Sequence, residues 1–351
     1  MFSEDLKAKI KAKSRQLGFI LAGVTTPEPP PHYSTFEHWL AQGHHGTMRY
    51  LDTERSRARR ADPREIMPEC KSILVLATPY SPPVPKEEGE RGQVAAYAQG
   101  EDYHDVLPTR MKELVSFIEE QAGRPVKNRW YTDTGPILER DLAQRAGIGW
   151  IGKNTCLIHP GHGSYFLLSE ILLDLDLEPD PPFITDHCGT CRRCIEACPT
   201  DCILPDRTID ATRCISYLTI ELKDDIPVEL REKIGSWVFG CDICQSVCPW
   251  NRFAGQGDPA FDEKESQPSL TEELALSPQD FNRRFKGSPV KRAKRRGYLR
   301  NIAVALGNSG SLHALPVLQN ALKDKEPMVR EHAKWAIERI TSRSRKGTRT
   351  M

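Results

Sequence analysis

Two cysteine runs place the strongest constraint on what this chain can fold into. The first, CGTCRRCIEACP at 188–199, has the C-x2-C-x2-C-x3-C-P spacing of a 4Fe-4S site. In such a run three thiolates bind one cluster and the fourth binds a second cluster. The second run, CDICQSVCP at 241–249, has the same spacing, but Val238 stands where its first cysteine belongs. The sequence therefore predicts two clusters and one ligand drawn from elsewhere.

Eight cysteines suffice for two clusters, and Cys214 is the best candidate for the missing ligand. Crossed pairing assigns cluster one to Cys188, Cys191, Cys194 and Cys248, and cluster two to Cys198, Cys214, Cys241 and Cys244. The alternative is two structural zinc sites made from C-x2-C pairs, which do not require the C-x3-C-P endings. We expect the other three cysteines to be buried apolar residues: Cys70, Cys156 and Cys202.

Cysteine usage and hydropathy also indicate the cellular compartment in which the protein works. An odd count of 11 cysteines, clustered in C-x-x-C steps, suits metal binding in a reducing compartment better than a disulfide framework. The mean hydropathy is −0.52 and no apolar run approaches the ~18 residues of a membrane span. The segment MFSEDLKAKIKAKSRQLGF predicts an amphipathic helix ended by Gly18, not a signal peptide. We expect a cytoplasmic protein without membrane contact, and a monomer by default.

The first half of the chain predicts a mixed α/β domain over residues 1–178. A buried apolar run predicts a strand at 72–78, and a second strand is expected at 126–132. Apolar spacing predicts a helix at 108–122, and Pro136 predicts the start of another at 136–145. Residues 154–175 suggest two strands joined by a Gly-rich turn.

The composition of the second half changes along the chain and predicts separate domains. Together with the first half, these domains predict an α+β fold for the whole chain. The PDPP stretch at 179–182 opens a ferredoxin-like two-cluster module over 179–252, and a polar linker is expected at 253–270. Within 271–342, GYLRNIAVALG and PMVREHAKWAIERI repeat one pattern, which predicts a C-terminal α-helical HEAT-like repeat. Residues 343–351 form a basic tail that we expect to be disordered.

A basic stripe precedes the repeat. Residues 281–301 carry nine basic residues and no acidic one, so the net charge of +1 leaves the rest of the chain at 1 − 9 = −8. Such a stripe indicates a polyanionic partner, with a solvated helix face as the alternative. The candidate phosphate-binding residues are Arg283, Lys286, Lys291, Arg292, Lys294, Arg295, Arg296 and Arg300.

The familiar cofactor and catalytic loops are missing from the sequence. It contains no G-x-G-x-x-G, no P-loop, no H-E-x-x-H and no G-x-S-x-G motif. The residues alone therefore predict a redox enzyme whose second centre they do not identify.

Longer motifs carry a resemblance that covers nearly the whole chain. GHHGTMRYL, RADPREIMPECKSILVLATPY, GEDYHDVL, YTDTGPILERDLAQRAGIGWIGKN, the two cysteine runs and RNIAVALGN together resemble epoxyqueuosine reductase. That family is cobalamin-dependent and performs the last step of queuosine synthesis in tRNA. Its long motifs are far more specific than the cysteine runs alone.

The resemblance implies a base-off cobalamin between the N-terminal domain and the ferredoxin-like module, close to one cluster. An external low-potential donor would send electrons through both clusters to cobalt. Reducing an epoxide to an alkene consumes two electrons and two protons and releases water. The resemblance implies that Asp133 is the proton donor, which requires an apolar setting that raises its pKa. The alternative is that Asp133 only caps the next helix.

The resemblance also implies further cofactor contacts, and all but Ser216 have an alternative. They are Arg60, Leu157, Leu168, Ser216 and Asp242. Arg60 could instead form a surface salt bridge, the leucines could be core, and Asp242 could hydrogen-bond its own loop. For His104 the family expectation is a hydrogen-bonding or packing role, not ligation of cobalt. The substrate would be tRNA carrying epoxyqueuosine, with the modified base flipped out of its single-stranded loop.

Two other functions fit parts of the sequence. A corrinoid reductase related to the reductive dehalogenases shares a cobalamin domain and two clusters, but the basic stripe and the repeat argue against it. An electron-carrier subunit explains the clusters but leaves Asp133 and the N-terminal domain without a role.

Overall fold

The computed structural model describes residues 2–83, 91–263 and 269–347. Its helices are α1 (Phe2–Gln16), α2 (Tyr33–Ala41), α3 (Glu54–Ala61), α4 (Tyr103–Ala122), α5 (Glu139–Arg145), α6 (Arg193–Ala197), α7 (Ile215–Ile220), α8 (Val228–Arg231), α9 (Ile243–Ser246), α10 (Leu270–Leu274), α11 (Pro278–Arg284), α12 (Lys294–Ser309), α13 (Leu315–Ala321) and α14 (Pro327–Gly347). Its strands are β1 (Leu21–Thr25), β2 (Ser72–Pro79), β3 (Gln93–Val94), β4 (Asn128–Tyr131), β5 (Trp150–Ile151), β6 (Leu157–Ile158), β7 (Phe166–Leu173) and β8 (Trp237–Phe239). Within these ranges we find no helix with the length and apolar character needed to cross a bilayer.

A four-stranded antiparallel sheet forms the centre of the N-terminal domain, in the order β1-β2-β7-β4. Strand β2 is apolar and buried along nearly its whole length because both faces of the sheet are covered. Its side chains alternate between two cores: Val75 belongs to one, and Leu74 and Leu76 belong to the other.

Helices α1 and α4 cover one face of the sheet, and α5 covers the other. Leu107, Met111 and Leu114 of α4 are fully buried against the first face. Burying each such side chain stabilises the fold by about 1.5–3 kcal/mol. The packed sheet therefore provides a rigid support for the loops at its edge.

Two helix starts differ from the sequence prediction, and both lie beside the site described below. Helix α4 begins at Tyr103, ahead of Pro108, because the Asp102 carboxylate caps it by accepting from the His104 N–H at 3.0 Å. The helix predicted from Pro136 begins only at Glu139. Asp133 has a left-handed φ of 58°, so residues 132–138 form a loop.

The cysteine-rich segment folds around short helices and joins the N-terminal domain through a strand pair. Strand β3 lies parallel to β8, with Val94 opposite Phe239. Helices α6, α7 and α9 follow or contain cluster cysteines. One core cluster includes Val238 and Phe239 of β8 together with residues of α12, so the cysteine-rich segment is packed on both sides.

Helices α10 to α14 form the C-terminal region, and α12 is buried from Gly297 to Gly307. A Cβ at Gly307 would lie 2.9 Å from the backbone of Ala336, so α12 and α14 cross closely. Helices occupy both predicted repeat segments. Helix α14 runs on to Gly347, which corrects the expected disorder for residues 343–347, whereas 348–351 lie outside the described residues.

The segment expected to be a linker packs on the N-terminal domain over its first part. Phe261 is buried in the core beneath α4, and Arg110 of α4 donates to Asp258 at 2.9 Å. Burial of this aromatic ring outweighs the polar composition that suggested a free linker. Residues 264–268 of the segment lie outside the described residues.

Candidate active site

A cavity of about 1390 Å³ opens between the N-terminal domain and the cysteine-rich segment. Its wall combines α2 and α3, the Asp133 loop, β6 and β7, and the start of α7. Arg292 of the basic stripe also lines it. The cavity is larger than the 300–1,000 Å³ typical of small-ligand sites, so it has room for a large cofactor together with a substrate group.

Asp133 projects into this cavity from the loop after β4. The Tyr103 hydroxyl donates to its Oδ2 at 3.0 Å. Its side chain is 64% exposed, although that exposure is to the cavity. Because Asp133 does not cap α5 by a side-chain hydrogen bond, the alternative of a helix-capping aspartate has no support.

His104 lies between two carboxylates at the start of α4. Its Nδ1 is 2.7 Å from Asp102 Oδ1, and its Nε2 is 3.7 Å from Asp133 Oδ2. Both ring nitrogens therefore face carboxylates, which supports the hydrogen-bonding role expected for His104. Sequence reasoning missed its neighbour Tyr103, although the DYH motif that contains both residues was a visible signal.

The electrostatics of this group reverse one expectation. Burial raises the pKa of Asp133, but the neighbouring His104 and Tyr103 outweigh it and hold the pKa below its usual value. Burial lowers the pKa of His104, but Asp102 and Asp133 outweigh it and raise the pKa to about 9. The sequence led us to expect a raised pKa and a protonated Asp133, whereas these pKa shifts favour a proton on His104 and a carboxylate at Asp133.

Arg60 is buried on the cavity wall, not paired on the surface. Its guanidinium donates to the Ser56 carbonyl at 3.3 Å and reaches the Gly135 carbonyl of the Asp133 loop at 3.5 Å. Burial lowers its pKa. Arg60 therefore brings a positive charge to the wall and ties the loop to α3.

Most of the other predicted cofactor contacts reach the cavity. Leu157, Leu168 and Ser216 line it. Asp242 does not: it is 2% exposed and its Oδ2 accepts from the Ala96 N–H at 2.7 Å. Burial raises the pKa of Asp242 to about 6. Asp242 holds the segment around Ala96 behind the cavity wall. The structure therefore does not support a direct contact between Asp242 and the cofactor.

The thiols assigned to cluster one lie together. Burial raises the pKa of Cys194. The nearby thiols of Cys188, Cys248 and Cys191 raise it further, and Cys188 has the largest effect of the three. The Trp150 indole N–H points at Cys188 Sγ, 3.5 Å away. The meeting of Cys248 with the first run is the crossing that the C-x3-C-P ending predicts.

The thiols assigned to cluster two also lie together, and two further cysteines join them. Cys241 is within electrostatic range of Cys214 and Cys198. Cys202 is buried with its Sγ 3.4 Å from Cys198 Sγ. Cys156 lies beside Cys244. Of the eight assigned ligands, Cys214 is the one that lines the cavity, so cluster two would be the nearer cluster.

The structure divides the basic stripe into exposed and buried members. The exposed ones are Arg283, Lys286, Lys291, Arg292, Lys294 and Arg296. Arg295 is partly buried and donates to Asp324 at 2.6 Å. Arg300 is 1% exposed and donates to the carbonyls of Leu218, Leu222 and Asp224, so its assignment as a phosphate contact is wrong.

Two sequence profiles match the chain. Residues 187–251 match the 4Fe-4S double cluster binding domain, which agrees with two clusters and not with two zinc sites. Residues 60–134, which include Arg60 and Asp133, match "Epoxyqueuosine reductase QueG, DUF1730".

Curated relatives extend the match to nearly the full length. The epoxyqueuosine reductase of Xanthomonas campestris pv. campestris is 41% identical over 343 residues, covering 95% of this chain and 96% of the relative. The chain belongs to the epoxyqueuosine reductase family. The family member from Pseudomonas aeruginosa is also 41% identical, over 95% of this chain and 94% of its own length. The resemblance seen in the sequence is confirmed, and the chain is an oxidoreductase.

Solved structures of epoxyqueuosine reductases share the fold. A crystal structure with a tRNA-Tyr epoxyqueuosine-modified stem loop has a TM-score of 0.89 at 31% identity and covers 96% of this chain and 91% of its own. The Streptococcus thermophilus epoxyqueuosine reductase has a TM-score of 0.88 at 31% identity, covering 96% and 90%. These matches confirm the expected mixed α/β fold with a two-cluster domain.

The cavity of this family member fits the cobalamin that the resemblance implies. Its wall offers apolar side chains such as Leu157 and Leu168 for a corrin face, and polar groups such as Ser216 and Gln245 for the amides of a corrin rim. His104, which also lines the cavity, has both ring nitrogens directed at carboxylates.

Proposed function

We propose that this chain reduces epoxyqueuosine to queuosine in the anticodon loop of tRNA. The observation that carries the proposal is the placement of Asp133 in a large cavity whose wall also includes Cys214, the thiol we assign to cluster two, and Arg292 of the basic stripe. One site thus combines a proton donor, a route for electrons and a contact for a polyanion. A tRNA substrate would place the enzyme in the cytoplasm.

The cofactors proposed are two 4Fe-4S clusters and a base-off cobalamin. Cluster one would be held by Cys188, Cys191, Cys194 and Cys248, and cluster two by Cys198, Cys214, Cys241 and Cys244. Arg60, Leu157, Leu168 and Ser216 would hold the cobalamin. When bound, the clusters would carry single electrons from an external low-potential donor. The cobalamin would provide a two-electron centre in the cavity.

The residues of the chain supply the protons and the geometry. Asp133 delivers protons to the departing epoxide oxygen, and Tyr103 holds its carboxylate by the 3.0 Å hydrogen bond. Arg60 fixes the loop through the Gly135 carbonyl. A left-handed non-glycine residue costs about 1–2 kcal/mol, and such strain persists only where contacts of this kind hold it.

The exposed members of the basic stripe would bind tRNA phosphates. Arg292 is placed both to bind RNA and to reach the cavity: its Nε donates to Glu221 at 2.8 Å and its guanidinium lies over the Tyr50 ring. A flipped nucleotide entering the cavity would pass this residue.

We propose 1–178 as the catalytic domain, 179–252 as the ferredoxin-like module, 253–270 as a segment joining it to the HEAT-like tRNA-binding helices over 271–342, and 343–351 as a basic extension.

The test compares the parent chain with Asp133→Asn. Each protein, reconstituted with iron, sulfide and cobalamin, is incubated with epoxyqueuosine-containing tRNA and a low-potential reductant. Nucleoside mass spectrometry should show queuosine from the parent and a rate lower by about 10²-fold or more from Asp133→Asn. Iron content and cobalamin absorbance should be the same in both.

Two outcomes would contradict the proposal. A parent chain that binds cobalamin but leaves epoxyqueuosine unchanged would remove the assigned reaction. Equal turnover by Asp133→Asn would remove Asp133 from the proton-donor role.

A further inference from the structure

We propose that His104, held in place by Asp102, stores the proton that recharges Asp133 within a single turnover. The inference rests on the proposed function and adds a positioning residue to it, one that acts through Asp133 and not directly on the substrate.

The balance of the reaction creates the need for a stored proton. Both carbon–oxygen bonds of the epoxide break and the oxygen leaves as water, and the bound cofactors would supply the two electrons that this reduction needs. Both protons therefore go to one oxygen atom at one place. Asp133 rests as a carboxylate and can hold only one proton at a time, so it must be protonated twice in each turnover, once from solvent water that enters the open cavity and once from His104.

The geometry offers His104 as the source. Its Nε2 lies 3.7 Å from Asp133 Oδ2 and is buried without a hydrogen-bond partner among the described residues. Its other nitrogen is held 2.7 Å from Asp102 Oδ1. A shift of well under 1 Å would form the His104–Asp133 hydrogen bond, and such bonds are often long before substrate binds. The proton would then pass from Nε2 to Oδ2.

Asp102 is fixed on both sides, so the imidazole cannot turn away. Its carboxylate accepts from the main-chain N–H of His104 as the cap of α4. Its own N–H donates to the Gly287 carbonyl at 3.0 Å. Gly287 belongs to the basic stripe, so the segment proposed to bind RNA also holds Asp102 in place beside His104.

The surrounding charges favour a protonated His104. Two carboxylates face it directly, Asp102 on its own helix and Asp133 on the neighbouring loop, and they raise its pKa to about 9 against the opposing effect of burial. Other charged or titratable groups within reach of Asp133 are Tyr50, Tyr97, Tyr103 of α4, Glu139 of α5, Glu170 of β7, and Arg292. Arg292 is the cation of this set, and its guanidinium is engaged by Glu221.

A nuclear magnetic resonance titration tests the store directly, without turnover. The cluster-loaded chain is labelled with ¹³C-histidine, and the His104 signal is assigned by its loss in His104→Gln. We expect His104 in the parent to titrate near pH 9 and in Asp102→Asn to titrate about one to two pH units lower, because one of the two carboxylate charges is gone. Asp105→Asn, an exposed change in the same helical turn, should leave the titration where it is in the parent.

Single-turnover rates on epoxyqueuosine-containing tRNA between pH 6 and 10 test the role. The parent rate should fall as the pH rises through about 9, since His104 then loses its proton. Asp102→Asn should move this fall about one to two pH units toward acid, and His104→Gln should lose about 10²-fold in rate and the fall itself. Asp105→Asn should match the parent.

The outcomes separate the two proposals. Titration of parent His104 near its ordinary ~6.5, or an unchanged rate and pH profile in His104→Gln, would overturn the proton store. Absence of queuosine from the parent at every pH would instead overturn the proposed function, and the titration would still decide the state of His104.

Discussion

Glu170 is a buried carboxyl side chain that the proposed reaction does not use. It lies on β7 opposite Val75 and Tyr131, is 0% exposed, and neither carboxyl oxygen has a hydrogen-bond partner among the described residues. Burial, then the nearby Glu139 and Asp133, raise its pKa well above the usual value. The folded chain therefore holds Glu170 protonated at a pH where the unfolded chain releases that proton.

This placement predicts that Glu170→Leu stabilises the fold, and more so at alkaline pH. A carboxyl whose pKa is raised on folding costs stability as the pH rises above its unfolded value of about 4.3. We expect the free energy of unfolding to rise by about 1–3 kcal/mol at pH 8 and by less at pH 5, measured by urea denaturation.

Glu120→Leu is the control, because Glu120 is an exposed carboxylate on α4. It should show no comparable gain at either pH. A loss of stability in Glu170→Leu at pH 8 would mean that the carboxyl has a stabilising partner.

At the level of elements, the loops that carry the cysteines and Asp133 determine the chemistry. The cysteine runs fold back so that the last thiol of each lies with the other run, and Cys214, just before α7, lies near Cys241. Cys202 lies there too, with its Sγ 3.4 Å from Cys198 Sγ. Two cysteines thus compete for the place of the ligand that the second run lacks.

A pair of substitutions decides between them. After anaerobic reconstitution, Cys202→Ser should retain about eight iron atoms per chain, whereas Cys214→Ser should retain about four, because cluster two loses a ligand. Iron analysis and electron paramagnetic resonance after reduction measure this difference. The reverse pattern would exchange the assignments of Cys202 and Cys214.

Spacing in the sequence predicted some elements well and others poorly. The strand at β2 and the helices α12 and α14 were predictable because their apolar patterns are long and regular. The start of α5 was not, because Pro136 has the form of a helix start and the contacts that hold the preceding loop come from distant residues.

The site shows the same division. The grouping of the cysteines was predictable from spacing, and the positions of Asp133 and Arg60 at one site from the family resemblance. The burial of Arg300 was not, because its partners are carbonyl groups some 80 positions earlier in the chain. The basic pattern is the same for a guanidinium that binds phosphate and for one that binds the backbone.

Across the whole molecule, the basic stripe connects the outer surface with the cavity. Lys291, Lys294 and Arg296 are exposed, and Arg292 between them lines the cavity. Cations on the surface give affinity through released counterions, while one that reaches the site can also orient a nucleotide.

Charge reversal of these exposed residues should weaken tRNA binding. We expect the triple variant Lys291→Glu, Lys294→Glu, Arg296→Glu to bind at least about 10-fold more weakly, with a slope of log affinity against log salt that is shallower by about one for each phosphate no longer neutralised. Fluorescence anisotropy of labelled tRNA over a salt series measures both quantities.

Lys71→Glu reverses an exposed charge at the start of β2 and should bind as the parent does. Equal weakening by both variants would indicate a general charge effect. Parent-like binding by the triple variant would move the RNA surface elsewhere.

The short strand β8, which pairs with β3, lies between the cysteine loops and α12. Strand β8 ends two residues before Cys241, and its Phe239 shares a core with Tyr298 and Ile302 of α12. Loss of a proposed cluster from the cysteine loops would thus be expected to loosen the core behind the basic stripe as well, because the same short strand belongs to both.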